Sequence, residues 1–235
     1  MPSAEPILPG TDTDLFADKT AVAQAAADAL LDAANAAIGH HGCFKVCLAG
    51  GTTPIAAYQR LIDADAHWEH WWIYHGDERC VPPGDADRNS LAADEAWLNQ
   101  VPVPRRQVFA IPAELGAEAG ASAYAPIVQT ALPFDLVLLG MGEDGHTASL
   151  FPGREIPEDR LAMPVHQAPK PPPDRVSLTL RALTDSAQVL ILVTGAGKAE
   201  AVRRWRQGDD LPIARVARAA RSRVLMDRAA AAGSA

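Results

Sequence analysis

One histidine stands where a proton carrier would be useful. The run Phe134-Asp-Leu-Val-Leu-Leu-Gly-Met-Gly-Glu-Asp-Gly-His146-Thr-Ala-Ser-Leu-Phe-Pro152 begins as a continuous apolar stretch and breaks into a glycine-rich turn. Residues 134–139 have the composition of a strand buried on both faces, as in a parallel sheet. Gly140, Gly142 and Gly145 then allow positive φ and close backbone approach. Asp144 and His146 therefore fall just past the carboxyl end of a strand, where ligands bind in open α/β sheets. An imidazole in that place can carry a proton near neutral pH, and a neighbouring carboxylate can orient it.

Other polar groups recur at comparable positions: Gly50-Gly-Thr-Thr53, Asp77-Glu-Arg79 and Gly195-Ala-Gly-Lys198. Gly50, Gly51 and Thr52 precede Pro54, which suits a first helical position, and a helix start of this kind aims backbone N–H groups at an anion. Together with the cations Arg79, Arg175 and Lys198, that loop suits a phosphate. Lys198 is unfavourably signed for a helix N-terminus, which also points to an anion nearby. The loop lacks both the Gly-x-Gly-x-x-Gly and the Gly-Lys-Ser/Thr patterns, which argues against a dinucleotide or nucleotide site. Taken singly, Asp77 and Arg79 could be a surface ion pair and Arg175 an edge-strand charge. Their convergence on one rim carries the reading.

The elements that must bring these groups together alternate along the chain. An alanine-rich helix is expected over residues 18–38, a buried strand over 44–49, a helix over 55–62 and a strand over 71–75. Asn89 and Ser90 could cap a helix over 91–98, and Pro126 interrupts a helix expected over 117–130. Residues 153–174 are proline-rich and are expected to form a long surface excursion. Strands over 175–180, 189–194 and 222–226 alternate with helices over 198–207 and 211–220. This pattern predicts a single α/β domain over residues 1–235, with a largely parallel open sheet and helices on both faces. Residues 1–13 and 229–235 are expected to be loose. Trp68, Trp71 and Trp72 are expected to pack in the core.

Composition narrows the function classes. The 235 residues, 48% hydrophobic and 21% charged, suffice for one substantial core. The formal net charge of −8 argues against nucleic-acid partners and anionic membrane surfaces. Cys43, Cys47 and Cys80 are odd in number and form no zinc-like pattern, so a reducing cytoplasmic setting is expected. The acidic residues Glu5, Asp12 and Asp14 precede any apolar stretch, unlike a signal peptide, and no run is long enough to span a bilayer.

Five strings, in order, bring a resemblance into view. Leu48-Ala-Gly-Gly-Thr-Thr-Pro54, Gly76-Asp-Glu-Arg79, Leu138-Leu-Gly-Met-Gly-Glu-Asp-Gly-His-Thr-Ala-Ser-Leu-Phe-Pro152, Pro169-Lys-Pro-Pro-Pro-Asp-Arg-Val-Ser-Leu-Thr-Leu180 and Thr194-Gly-Ala-Gly-Lys198 resemble the 6-phosphogluconolactonases. They span most of the chain from residue 46 to residue 227. The resemblance implies hydrolysis of 6-phospho-D-glucono-1,5-lactone to 6-phospho-D-gluconate in the oxidative pentose phosphate pathway. It also implies a fold shared with glucosamine-6-phosphate deaminases and ribose-5-phosphate isomerases. A δ-lactone is an activated ester, so neither a covalent nucleophile, a metal nor another cofactor is required. His146 would activate water, oriented by Asp144 or Asp77, while Arg79 would stabilise the oxyanion or grip the sugar-acid hydroxyls. Gly50, Gly51, Thr52, Arg175 and Lys198 would hold the 6-phosphate, and a monomer is the plain expectation.

Two related activities share the fold. The amino-sugar-phosphate deaminases resemble His-Ile-Ala-Phe-Asn-Glu-Pro after the glycine, with a glutamate where this chain has Phe151, and Asp-Glu-Tyr where it has Asp77-Glu-Arg79. A non-catalytic sugar-phosphate sensor would carry a DNA-binding domain, for which the stretch before Asp18 is too short. Asp87-Arg-Asn-Ser90 departs from the lactonase-like Asp-x-Ser-Asn, which leaves the role of Asn89 open.

Overall fold

The computed structural model describes residues 7–232. In chain order these form β1 (Asp12–Phe16), α1 (Lys19–His41), β2 (Phe44–Leu48), α2 (Thr52–Tyr58), β3 (Trp71–His75) and β4 (Asp77–Arg79). Next come α3 (Asn89–Ala93), β5 (Val108–Phe109), α4 (Ala117–Ala131), β6 (Phe134–Gly140), β7 (Ala162–Val165) and β8 (Arg175–Leu178). The chain continues through α5 (Leu180–Thr184), β9 (Ser186–Val193), α6 (Ala199–Arg206), α7 (Pro212–Ala219), β10 (Ser222–Asp227) and α8 (Arg228–Ala231).

Seven strands form one parallel sheet in the order β1-β10-β9-β6-β2-β3-β5. Its strands bury both faces, because side chains alternate along each. Leu136, Leu138, Leu190 and Leu192 face a core shared with α1 and α2, whereas Val137, Leu139, Val189 and Ile191 face the core under α4 and α7. Small residues along α1 (Ala23, Ala26, Ala27, Ala34) are buried, so that helix can lie close to the sheet. Asp18 starts α1, its Oδ1 accepting from the backbone N–H groups of Thr20 and Ala21 at 2.9 Å each. Trp68 and Trp71 pack with Trp97 and Tyr58 in that first core, and Trp72 stacks on Phe109 at 5.9 Å between ring centroids. The expected packing role of these tryptophans holds. Helix α4 runs unbroken through Pro126.

The expected interruption at Pro126 is thus corrected, and so are three further expectations. Asp77–Arg79 is not a turn but a short strand in a second, antiparallel sheet of order β4-β8-β7. The stretch 153–174 is no mere surface excursion, since it contains β7 and buries Ile156, Leu161, Ala162 and Val165. Both signals were weak because three- and four-residue strands offer too few positions for a periodicity to show. The termini are also better anchored than expected: Leu8 is fully buried, β1 is an edge strand on β10, and Asp227 caps α8 by accepting from Ala230 N at 2.8 Å. Residues 1–6 and 233–235, which complete those expected loose ends, lie outside the described residues.

The end of β3 contains a titrating group. His75 is 2% exposed, and its Nε2 has no hydrogen-bond partner among the described residues. Burial pushes its imidazole below the ordinary value, against the opposing charges of Glu78, Asp94 and Asp77. The folded state thus binds the proton less readily than the unfolded chain. That contribution to stability is complete above the ordinary value of about 6.5 and declines as pH falls below it. Urea unfolding between about pH 7.5 and 5.5 should show stability dropping towards acid, and His75→Gln should flatten that slope.

Candidate active site

Strand order reverses between β2 and β6: the chain proceeds from β2 to β3 and β5 on one side, and from β6 to β9 and β10 on the other. The loops leaving the two strands consequently diverge and open a crevice at their carboxyl ends. A cavity of about 400 Å³ occupies it. Gly50, Gly51 and Thr52 line it after β2, and His146 lines it after β6. Lys198 enters from the turn after β9, and Asp77, Arg79 and Arg175 enter from the second sheet. Asp144 stands behind the His146 ring, so all the expected site residues converge.

The turn after β6 is built to hold the imidazole. Asp144 Oδ1 accepts from His146 N at 3.1 Å and lies 2.5 Å from His146 Nδ1. Nε2 has no partner among the described residues. Gly142 N–H donates to His146 O at 2.8 Å, and the Thr147 hydroxyl donates to Gly140 O at 2.9 Å. The ring lies directly on Gly142, where a Cβ would fall 2.0 Å from Nδ1. Phe151 closes the other side, with ring centroids 4.8 Å apart. Burial acts to raise the Asp144 carboxyl, but the backbone N–H, charge and ring nitrogen of His146 outweigh it and leave the group below the usual carboxylate range. The carboxylate that orients the ring is thus Asp144.

Asp77 does not take that part. Its Oδ1 accepts from Asn89 Nδ2 at 3.0 Å and its Oδ2 from the Ser149 hydroxyl at 2.6 Å. Asn89 in turn lies on Gly50, where a Cβ would fall 2.0 Å from Asn89 Oδ1. The expected capping of a helix by Asn89 and Ser90 is replaced by something stronger. Buried Glu78 accepts from Asn89 N at 2.7 Å, Ser90 N at 2.8 Å and Arg79 N at 2.9 Å, with Arg88 Nε at 3.5 Å. This carboxylate caps α3 and fixes Asn89 on the cavity wall. Glu78, Asn89 and Ser149 belong to the site without having been assigned to it. Glu78 and Ser149 were signalled by their places in Gly76-Asp-Glu-Arg79 and in the His146 string, and Asn89 by Asp87-Arg-Asn-Ser90.

The cations are used unequally. Arg79 donates from Nη1 to Asp87 O, while its buried Nε has no partner among the described residues. Burial lowers the Lys198 ammonium from its ordinary value, and Glu143 acts in the opposite direction. Arg175, expected to hold a phosphate, directs Nε to Pro172 O at 3.0 Å and Nη2 to Lys170 O and Pro171 O at 2.8 and 3.3 Å. These bonds brace the segment between β7 and β8 while the residue still lines the cavity. The loop 50–53 is braced as well: the Tyr58 hydroxyl donates to Ala49 O at 2.9 Å, and Thr53 Oγ1 lies 2.6 Å from Thr194 Oγ1. No side chain caps the start of α2, so N–H groups there remain for a ligand. Among the described residues no three His, Cys, Asp or Glu side chains are grouped to hold a metal ion, and no helix is long and apolar enough to cross a membrane.

The family model for glucosamine-6-phosphate isomerases/6-phosphogluconolactonase matches residues 17–226. A probable chloroplastic 6-phosphogluconolactonase of Oryza sativa subsp. indica is 38% identical over 186 residues, covering 71% of this chain and 57% of its own length. The chain therefore spans little more than half the length of the plant relatives it matches. The 6-phosphogluconolactonase of Mycobacterium tuberculosis is 38% identical over 206 residues, which are 80% of this chain and 83% of that protein. The crystal structure of 6-phosphogluconolactonase from Thermotoga maritima matches with a TM-score of 0.86 at 26% identity, covering 93% of this chain and all (100%) of that one. The expected fold and family are both found, and the chain belongs to the glucosamine-6-phosphate isomerase/6-phosphogluconolactonase family.

Proposed function

We propose that this chain hydrolyses 6-phospho-D-glucono-1,5-lactone to 6-phospho-D-gluconate in the oxidative pentose phosphate pathway. The observation that carries this reading is the His146 ring, held by Asp144 through Nδ1 and placed on the wall of a cavity that Arg79, Arg175 and Lys198 also line. Nε2 takes a proton from a water molecule as its oxygen adds to the lactone carbonyl carbon. Asp144, kept ionised, steadies the imidazolium that results. Arg79, whose side chain lines the cavity, offers its guanidinium to the oxygen that becomes an oxyanion, an interaction of about 3 kcal/mol in comparable sites. When the tetrahedral intermediate collapses, the bond to the ring oxygen breaks and the imidazolium returns the proton to that oxygen. The free carboxylic acid then ionises.

Lys198 and the N–H groups of Gly51 and Thr52 hold the 6-phosphate, so that binding energy remote from the carbonyl positions it. Phe151 against the imidazole speaks against a ring-opening isomerase, which needs a carboxylate there. The reaction so drawn uses a small-molecule substrate and needs neither metal nor cofactor, and the net charge of −8 speaks against a nucleic-acid partner. The three unpaired cysteines support a cytoplasmic setting.

Acid release in a pH-stat, corrected for spontaneous hydrolysis of fresh substrate, tests the reaction. Wild type should accelerate it and His146→Ala should abolish the acceleration, whereas equal rates for the two would overturn the mechanism. Unphosphorylated glucono-1,5-lactone should be turned over far more slowly. Gly142→Ala should displace the ring from Asp144 and lower kcat about a hundredfold, with the urea midpoint little changed.

A further inference from the structure

The segment between β7 and β8 brings to the cavity a cation that the reaction above does not use. Lys170 lines the cavity. Its carbonyl is gripped by the buried Arg175 guanidinium, so the point from which its side chain springs is fixed even though the side chain is 54% exposed. Lys170 Nζ donates to Glu143 Oε2 at 3.0 Å. Glu143 belongs to a different loop, the turn that also carries His146. Its Oε1 lies over Gly197, where a Cβ would approach to 3.3 Å, and Lys198 is the next residue. One carboxylate thus pairs with the ammonium group of Lys170 and feels the charge of a second, Lys198, on another loop. The hydrogen bond and charge of Lys170, with the charge of Lys198, hold the Glu143 carboxyl below its usual range.

We infer that Lys170 is a further ligand of the substrate's phosphoryl group and that Glu143 is an internal counter-anion, which the phosphate displaces from Lys170 and Lys198. The identity of the phosphate's carrier rests on the lactonase reading; the anion exchange does not. Glu143 and Lys170 are both more than half exposed, so water readily replaces either partner and their separation costs little. A phosphate carries nearly two negative charges and three acceptor oxygens, and so competes well with a single carboxylate for two cations. A plain tie between two loops would behave differently: loss of either partner would loosen the same contact and weaken binding in the same direction. Anion exchange requires opposite directions.

Two readouts separate these cases, calorimetric titration with inorganic phosphate and KM for the phosphorylated lactone. Lys170→Met should weaken phosphate binding and raise KM by about threefold to tenfold, and Lys170→Arg should restore most of the loss. Glu143→Gln should strengthen phosphate binding and lower KM by at least about twofold. Both effects should shrink at about 0.5 M salt, where exposed charges are screened. KM for unphosphorylated glucono-1,5-lactone should move with neither variant. If both variants weaken phosphate binding, or neither changes it while wild type hydrolyses the lactone, the inference falls alone. If the opposite shifts appear in phosphate binding but wild type turns over no lactone, the anion exchange stands and the reading of the reaction falls.

Discussion

The site depends first on the reversal of strand order between β2 and β6. Two adjacent parallel strands whose chains depart in opposite directions cannot have their following loops packed together, so a crevice opens there. The loop 50–53 forms one wall and the turn carrying His146 the other. On each wall a side chain rests on bare backbone: Asn89 on Gly50, and His146 on Gly142. A Cβ at either position would push the side chain off its wall.

A second constraint is polar and buried. Glu78 is fully buried, and the cost of burying its charge is offset by three backbone N–H groups and the neighbouring Arg88. Arg88 is itself tied to Glu114 at 2.9 Å and to Ile111 O at 2.8 Å. From this anchor a continuous polar line runs under the cavity through Asn89, Asp77 and Ser149 to Arg175, the last step at 3.5 Å. It joins the wall formed by the loop 50–53 to the segment that bears Lys170. A network satisfied to this degree specifies one arrangement of the floor, where an apolar floor could repack.

The main sheet was legible in the sequence because its central strands are long enough, and apolar enough, to stand out. Residues 134–139 and 189–194 needed no more than their composition. The rim groups were legible through glycines and charges at strand ends, which is why the gathering of Asp144, His146, Gly51 and Lys198 at one rim could be expected without knowledge of the fold. The second sheet was hidden, since Asp77–Arg79 has no apolar residue and Ala162–Val165 lies within a proline-rich stretch. With it were hidden the partners of Asp77, the bracing role of Arg175 and the buried state of Glu78. Long-range hydrogen bonds of this kind leave no periodic trace. A carboxylate that caps a helix eleven residues later is indistinguishable in sequence from one that faces water.

The register of that second sheet sets Arg79 directly opposite Arg175. Cross-strand neighbours share a face, and two like charges so placed repel one another. Asp77 and Asp87 oppose that repulsion at Arg175, while burial adds to it, so the pair stands only with those carboxylates beside it. Sequence drift towards greater robustness would favour neutralising one of the two guanidinium groups, at the expense of an anion's welcome. At this pair, durability and use pull in opposite directions.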